Sequence, residues 1–311
     1  MNKKLIFIHG RATKPLEDDL RDLWYEAVKS GLKRDYGDSA VQKFESMDKE
    51  FVYYGDISND FLHKKRGHTI PDDIGTRKAA LEKLKSFSAD QFNKAEYKKI
   101  RQLNHLKELL ADTFSGIIRL LRIGNKLVSV IAPDMAEYWN REAYFGSDVR
   151  WRLTPVLEQA FVEKKQIMLV AHSLGTIISY DTLWKFSHYS EYRSQFNNGE
   201  KLDLFVTMGS PLADENIKSQ IKGMRSKGTF RYPNNIKNWI NISAEDDYIS
   251  HDSRLSNDFR KIHKLGLMEN PIKDIYPIYN LTVRNNKSNP HSSIGYLIHP
   301  AFTKIIHDWM Q

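Results

Sequence analysis

Cysteine is absent from the 311 residues of the chain. This absence excludes disulfide bonds, a thiol nucleophile and cysteine-ligated zinc, and it agrees with a reducing compartment. Long apolar runs are absent as well, since no window approaches the ~18 uninterrupted apolar residues of a membrane-spanning helix. The apolar run at residues 5–8, behind two lysines, is shorter than the roughly 7 to 15 residues of an export signal. We therefore interpret it as a first strand and expect a cytoplasmic protein.

Acidic residues are fewer than basic ones, and the formal net charge is +8 at pH 7. Between residues 60 and 150, 17 lysines and arginines stand against 12 aspartates and glutamates. Such an excess favours anionic partners, among them lipid headgroups, nucleic acid and acidic substrates. No recognised nucleic-acid-binding motif accompanies the charge, so we expect no specific nucleic-acid partner.

Short apolar runs alternate with amphipathic helical patterns along most of the chain. The first helix is expected to begin at Pro15 and to stop at Gly31, and Pro300 opens a terminal helix. This alternation is typical of a doubly wound α/β protein with a mostly parallel sheet. We expect one domain over residues 1–311, interrupted by a helical cap insertion at 60–150. The six predicted strands cover residues 5–8, 51–54, 167–171, 204–208, 239–242 and 278–283.

The segment 166–180, QIMLVAHSLGTIISY, joins a predicted strand to a predicted helix. Its apolar start suits a strand buried on both faces, and a helical pattern follows Ser173. A serine at such a corner is the layout of a nucleophile elbow, where strand and helix approach closely and require small neighbours. Ala171 and Gly175 meet that requirement, although alanine replaces the first glycine of the G-x-S-x-G form. The simpler interpretation is an ordinary strand-to-helix turn in which the serine caps the helix.

A serine nucleophile needs a base and an acid that orients the base, in the chain order serine, acid, histidine on this kind of sheet. The fifth predicted strand runs into a loop with two adjacent aspartates. We favour Asp247, because the apolar residues after it can pack and hold its loop, and keep Asp246 in reserve. Of eleven histidines, His291 follows the last predicted strand, where the base belongs. The pair His251 and Asp252 is a rival.

The tetrahedral intermediate of acyl transfer also needs backbone N–H donors. One is expected from Leu174, directly after the nucleophile. The other is expected from the loop after the first strand, where Gly10 lets the backbone approach closely. In that loop we name the Arg11 amide first and the Ala12 amide second. Losing one such donor typically costs about 3 kcal/mol of transition-state stabilisation.

Five segments together resemble the α/β-hydrolase superfamily, in its lipase- and esterase-like bacterial branch: IHGRATKP, AHSLGT, VTMGSPL, SAEDDYI and NPHSSIGY. The resemblance covers nearly the whole chain apart from the insertion. It implies a catalytic triad of Ser173 as nucleophile, Asp247 as acid and His291 as base, with the insertion as a lid. Our own interpretation is a serine esterase or lipase-type hydrolase, with an ester of a small molecule or a lipid as the expected substrate. The mechanism requires no metal and no cofactor, and the fold alone does not identify the substrate.

Residues 114–131 are the most organised part of the insertion. Arg119, Arg122 and Lys126 share one face of the predicted helix, and apolar residues cover the remainder. Such a helix can rest on an anionic membrane as a peripheral contact and admit an acyl chain, which favours a lipase or phospholipase. Alternatively, its apolar face packs on the α/β core.

A catalytically inactive hydrolase fold that serves as a binding or regulatory module is the alternative function.

Overall fold

Six parallel strands form the main sheet of the protein. The computed structural model describes residues 2–66, 74–103, 133–193, 195, 199–250 and 254–311. The strands are β1 (Lys3–Ile8), β2 (Asp48–Val52), β3 (Gln166–His172), β4 (Leu202–Met208), β5 (Ile236–Ala244) and β6 (Lys273–Ile278). Their order across the sheet is β2-β1-β3-β4-β5-β6, and every neighbouring pair is parallel. The predicted α/β class is therefore confirmed.

Helices connect these strands, because parallel neighbours can be joined only by a crossover that returns to the starting edge of the sheet. A two-stranded hairpin, β7 (Val283–Arg284) and β8 (Lys287–Ser288), follows the sheet. The described helices are α1 (Glu17–Tyr36), α2 (Asp38–Glu45), α3 (Gly55–Arg66), α4 (Ile74–Lys85), α5 (Lys94–Leu103), α6 (Pro133–Tyr138), α7 (Phe145–Val162), α8 (Leu174–His188), α9 (Ser190–Arg193), α10 (Glu215–Gln220), α11 (Leu255–Asp258), α12 (Arg260–Lys264), α13 (Ser293–Leu297) and α14 (Pro300–Met310). Within the described part of the chain, none of the helices has both the length and the apolarity to cross a membrane.

The sheet separates two apolar layers, because successive side chains of a strand point to opposite faces. In β1, Ile6 and Ile8 enter one layer, which includes side chains of α6, α7, α8, α10, α11 and α12. Leu5 and Phe7 enter the other, which includes side chains of α1, α2, α4, α5, α13 and α14. All four side chains are fully buried, and each contributes roughly 1.5–3 kcal/mol by leaving water.

The inner strands lie where the sequence predicts them, whereas both edge strands are displaced from their predicted positions. The second strand begins at Asp48 and ends at Val52, instead of covering 51–54. The sixth covers Lys273–Ile278, instead of 278–283. An edge strand is exposed along one side, so its residues include Asp, Lys and Glu and give no apolar run. The predicted ranges begin on the last residues of each strand and continue into the segment that follows it, where Tyr54 and Leu281 are buried.

Gly31 does not end the first helix, and that prediction is wrong. Helix α1 continues to Tyr36 and ends at Gly37, whose φ of 79° is readily adopted only by glycine. A β-carbon at Gly31 would lie 2.5 Å from Cγ2 of Thr303 and 3.0 Å from the carbonyl oxygen of Ile298. The glycine therefore allows close packing of α1 against the C-terminal helices.

The described parts of the predicted insertion pack on both faces of the sheet. Helices α4 and α5 join the layer that contains α1, and α6 joins the opposite layer. Residues 114–131, the predicted cationic and apolar helix, lie outside the described residues. The assignment of 60–150 as a cap or lid thus stays a prediction.

Candidate active site

The candidate site lies where the connections of two adjacent strands diverge. Strand β1 continues into α1 on one face of the sheet, and its neighbour β3 continues into α8 on the other. In open parallel sheets, a crevice forms at the carboxyl ends of two such strands and is the usual place for a ligand. The loop after β1 and the corner after β3 meet at this point.

Ser173 occupies the corner between β3 and α8. Its backbone has φ 56° and ψ −125°, a left-handed conformation that costs a non-glycine residue on the order of 1–3 kcal/mol. Its amide donates to the carbonyl oxygen of Met208 on β4 at 3.1 Å, which anchors the corner to the sheet. The prediction of a strand, a sharp turn at Ser173 and a helix is confirmed.

Two glycines make room for this corner. A β-carbon at Gly10 would lie 2.7 Å from Cβ and 3.2 Å from Oγ of Ser173, so the loop after β1 touches the serine directly. A β-carbon at Gly175 would lie 2.5 Å from the carbonyl oxygen of His9 and 2.8 Å from that of Ile8. These backbone atoms cannot yield, which explains why the position two residues after the serine must be small.

Ser173, His291 and Asp247 form one hydrogen-bonded chain. Nε2 of His291 lies 2.9 Å from Oγ of Ser173, although 118 residues separate them. Nδ1 of the same ring lies 2.9 Å from Oδ2 and 3.0 Å from Oδ1 of Asp247. Because a carboxylate only accepts, Nδ1 carries the proton and donates it, which leaves Nε2 to accept the serine hydroxyl. The structure thus brings together the three side chains predicted as a triad.

The carboxylate of Asp247 is buried and held from several directions. Oδ1 accepts the backbone N–H of Ile249 at 3.0 Å, and Oδ2 accepts the hydroxyl of Tyr296 at 2.6 Å. A β-carbon at Gly209 would lie 2.9 Å from Oδ2, so the end of β4 also closes on this group. A buried carboxylate is tolerated when its oxygens are hydrogen-bonded in this way.

Asp246, the reserve acid, faces away from the histidine. Its carboxylate accepts the hydroxyl of Tyr97 at 3.2 Å and forms an ion pair with Arg101, both on α5. The left-handed backbone of Asp246, with φ 58°, turns consecutive side chains in different directions. Of the two aspartates, only Asp247 contacts His291 in the structure.

The loop that carries His291 is fastened on both sides by buried polar groups. The side-chain amide of Asn280 donates to the carbonyl oxygens of Pro290 and Ser292, each at 2.9 Å. Nε2–H of His172 donates to the carbonyl oxygen of His291 itself at 2.9 Å. Burial, and secondarily the neighbouring His291, hold the pKa of His172 well below its usual value, so this ring stays neutral. His172, which directly precedes Ser173, therefore positions the backbone of His291.

His9 holds the glycine loop after β1 against the end of β2. Its Nδ1–H donates to the carbonyl oxygen of Gly10 at 2.7 Å, and Nε2 accepts the backbone N–H of Tyr54 at 3.2 Å. Burial, reinforced by Lys14, holds the pKa of His9 well below its usual value. The neutral ring is stacked on Tyr54 with centroids 4.1 Å apart.

A buried ion pair fixes the rest of this loop. Nε of Arg11 lies 3.0 Å, and its Nη2 2.5 Å, from Oδ1 of Asp134 on α6. Burial alone would raise the pKa of Asp134, but Arg11 brings it below its usual value. The amide of Ala12 donates to Oδ2 of Asp134 at 3.0 Å, so this second candidate for the oxyanion donor is already engaged. The ion pair joins the loop to the end of the predicted insertion.

Leu174 is the first residue of α8, as the prediction of an oxyanion donor requires. Amides in the first turn of a helix have no acceptor within the helix, and the helix dipole favours negative charge there. The N-terminus of α8 therefore points partial positive charge at the region beside Ser173. Arg11 directly follows Gly10, the glycine that touches the serine. The predicted donor role of its amide remains a proposal.

Two other described histidines contact groups outside the triad, and the rival pair is not described. His251 and Asp252, the rival pair, lie outside the described residues. His299 is the N-cap of α14, where its Nδ1 accepts the amide of Ala301 at 3.0 Å. Its burial lowers its pKa to about 3. His263 lies in α12 and contacts the carbonyl oxygen of Met268.

Several residues around the triad have no role in the sequence-based prediction. Tyr296 contacts the carboxylate of Asp247, Asn280 holds the loop of His291, and Asp134 holds the loop after β1. A weak signal exists for Tyr296, since it ends the NPHSSIGY segment that contains His291. Asp134 carries no signal, because 123 residues separate it from Arg11.

Similarity to known proteins gives no independent identification of the chain. No family model matches it, and no significant match was found among curated proteins or solved structures. The resemblance of five segments to α/β-hydrolases therefore stays a prediction. Any inference about function has to start from the arrangement of the side chains around Ser173.

Proposed function

We propose that this protein is a serine hydrolase of the α/β-hydrolase fold that cleaves a carboxylic ester through an acyl-enzyme intermediate. The observation that carries the proposal is the continuous hydrogen-bonded chain from Ser173 through His291 to Asp247, with contacts of 2.9 Å at each step. A serine hydroxyl becomes a useful nucleophile when a base accepts its proton and an acid orients that base. The strained corner at Ser173 and its position at the carboxyl ends of β1 and β3, where the connections diverge, support the same proposal.

The acylation step follows from the direction of these hydrogen bonds. Oγ of Ser173 attacks the ester carbonyl carbon while its proton passes to Nε2 of His291. The ring is then positively charged, and Asp247 stabilises it through Nδ1–H without accepting that proton. The tetrahedral intermediate expels the alcohol, which takes the proton from Nε2. Water then repeats the sequence on the acyl-enzyme, releasing the acid and restoring Ser173.

The negative oxygen of the intermediate is assigned to the Leu174 and Arg11 amides. Leu174 begins a helix beside the serine, and Gly10 brings the loop that contains Arg11 into contact with Ser173. Preorganised N–H donors are usually the largest single contribution to such catalysis, since they need no rearrangement as charge develops. The buried pair of Arg11 and Asp134 is a means of preorganising this loop.

The ester is proposed to come from a small molecule or a lipid. Membrane lipid is favoured by the cationic and apolar sequence of residues 114–131, which also underlies the proposed membrane-peripheral location. Flotation with liposomes tests this part separately. Recovery with anionic but not neutral liposomes supports it, and absence of binding to both contradicts it.

Labelling with a fluorophosphonate probe tests the hydrolase proposal, because the probe reacts only with an activated serine. The wild-type protein should be labelled and should hydrolyse short p-nitrophenyl esters, whereas Ser173→Ala should do neither. Ser179→Ala is the matched control: Ser179 is buried in α8, the helix that follows Ser173, and its hydroxyl has no partner among the described residues. This control should retain both labelling and turnover.

Two outcomes would contradict the proposal in different ways. Unchanged ester hydrolysis in Ser173→Ala would remove the serine from the mechanism. A folded wild-type protein that neither reacts with the probe nor hydrolyses esters would favour the alternative function, an inactive binding or regulatory module.

A further inference from the structure

We propose that Tyr296 is a positioning residue for catalysis, which fixes the carboxylate of Asp247 against His291 and moderates its charge. The inference rests on the proposed function, since it assigns a role to a side chain that contacts the acid rather than the substrate. It adds a fourth member to the chain that starts at Ser173. Its basis is the set of contacts around the hydroxyl group of Tyr296.

The loop that follows β5 and carries Asp247, residues 245–247, is called the acid loop. The hydroxyl of Tyr296 connects Asp247 to the end of β5. It donates to Oδ2 of Asp247 at 2.6 Å and accepts the backbone N–H of Ala244 at 2.9 Å. Ala244 is the last residue of β5, so one end of this bridge belongs to the rigid sheet. The distance to Asp247 is typical of a charge-assisted O–H···O⁻ hydrogen bond, which is stronger than a neutral one. The carboxylate is thereby tied to the sheet through the tyrosine.

The side chain of Tyr296 is held in a fixed position by its burial. Its side chain is fully buried on α13, five residues after His291. Burial, and secondarily the charge of Asp247, raise its pKa well above the usual value, so the hydroxyl remains a donor. The same short segment therefore supplies the base and the group that holds the acid. This arrangement sets the separation of acid and base by local structure.

The hydrogen bonds of the Asp247 carboxylate restrict its rotation. Oδ1 accepts the amide of Ile249, and Oδ2 accepts the hydroxyl of Tyr296, so the carboxylate cannot rotate away from Nδ1 of His291. Without the hydroxyl of Tyr296, Oδ2 of Asp247 would carry more negative charge and would stabilise the imidazolium form of His291 more strongly. The acid limb of the pH–rate profile would then lie at higher pH, and the orientation of the imidazole would be less well defined.

Among the residues that the structure describes, the side chains of Asp247 and His172 are titratable groups in contact with the ring of His291. Asp247 contacts Nδ1 of His291, and the ring of His172 lies 4.7 Å away, measured between centroids. Tyr296 acts through Asp247, and His172 and Tyr296 are both neutral near pH 7 because of burial. Lys14 and Arg77 contribute positive potential at His172. A change confined to the hydroxyl of Tyr296 therefore alters the field at His291 chiefly through Asp247.

The test is Tyr296→Phe, with Tyr180→Phe as the matched control. Both tyrosines are fully buried, but the hydroxyl of Tyr180 has no hydrogen-bond partner among the described residues. We expect Tyr296→Phe to lower kcat by about 10-fold with KM nearly unchanged, because orientation of the base is lost rather than binding. The acid limb of its pH profile should move up by about half a pH unit. Tyr180→Phe should leave kcat, KM and the acid limb unchanged.

A second substitution covers the case in which Tyr296→Phe fails to fold because the amide of Ala244 loses its acceptor. Incorporation of 3,5-difluorotyrosine at position 296 keeps the hydroxyl and makes it a stronger donor. The acid limb should then move to lower pH, opposite to the effect of the phenylalanine. An acid limb that stays at the wild-type position in every folded variant would overturn the inference.

Fluorophosphonate labelling of the wild-type protein distinguishes a failure of the role of Tyr296 from a failure of the proposed hydrolase function. If wild type is labelled at Ser173 and Tyr296→Phe shows wild-type kinetics at all pH values, only the role of Tyr296 is wrong. If folded wild type is not labelled, the proposed function and the role of Tyr296 are both overturned.

Discussion

Asp246 and Asp247 are adjacent in the chain, yet their carboxylates lie in different environments. Asp247 is buried against His291, whereas Asp246 pairs with Tyr97 and Arg101 of α5. The left-handed φ of 58° at Asp246 separates the two directions. One aspartate therefore belongs to the candidate triad, and the other fastens the acid loop to a helix of the predicted insertion.

Replacing each aspartate by asparagine should affect kcat very differently. Asp247→Asn removes the charge that fixes the Nδ1–H tautomer of His291, and kcat should fall by about 10⁴-fold. Asp246→Asn removes a partly exposed ion pair, and kcat should stay within a few-fold of wild type. Measurement of p-nitrophenyl ester hydrolysis in both variants checks this assignment. Equal losses in the two variants would contradict the distinction.

The pair of Arg11 and Asp134 should affect stability and activity separately. Asp134→Ala removes the carboxylate that pairs with the buried guanidinium of Arg11, and we expect the free energy of unfolding to fall by about 3–5 kcal/mol. The double variant Arg11→Met and Asp134→Leu removes both charges and should recover most of this loss. Activity should not recover, because Ala12 would still lack the acceptor that holds the glycine loop.

Chemical denaturation and ester turnover, measured on the same preparations, check this prediction. The free energy of unfolding should rise again in the double variant while kcat/KM remains low. A double variant with wild-type kcat/KM would show that the ion pair contributes only to stability.

His299 should make the fold less stable in mild acid. Burial, reinforced by Arg34, lowers the pKa of His299 to about 3 in the folded protein. An unfolded histidine titrates near 6.5, so below that pH the unfolded state binds a proton that the folded state does not. The contribution of neutral His299 to the free energy of unfolding is therefore fully present above about pH 6.5, and it is lost progressively as the pH falls toward 3. At pH 5 the loss from this residue should be about 2 kcal/mol.

His299→Asn isolates this effect, because asparagine can cap α14 without titrating in this range. The free energy of unfolding, measured by denaturant at pH 7.5 and pH 5, should decrease less in the variant than in wild type. His9 and His172 are also buried with lowered pKa values, and their contribution remains in both proteins. Equal decreases in the two proteins would show that His299 is not the cause.

The inner strands could be predicted because their burial appears directly in their composition. Strands β1 and β3 are covered on both faces, so their sequences are nearly continuous apolar runs. The edge strands β2 and β6 carry charged residues on their exposed sides, and the same signal failed there. The role of Gly31 does not appear in the local pattern, because the glycine allows contact with Thr303, 272 positions further along the chain.

The sequence by itself determined the sharp turn at Ser173 and the order of serine, aspartate and histidine along the chain. These features depend on local properties, namely small residues at a tight corner and polar loops after apolar strands. Only the tertiary structure decided that Asp247 rather than Asp246 meets His291, and that Tyr296, Asn280 and Asp134 hold the groups around Ser173. The reason is physical: hydrogen bonds between distant segments depend on the direction of each side chain once the sheet has assembled. The feature that suggested a nucleophile is local, whereas the geometry that supports one is not.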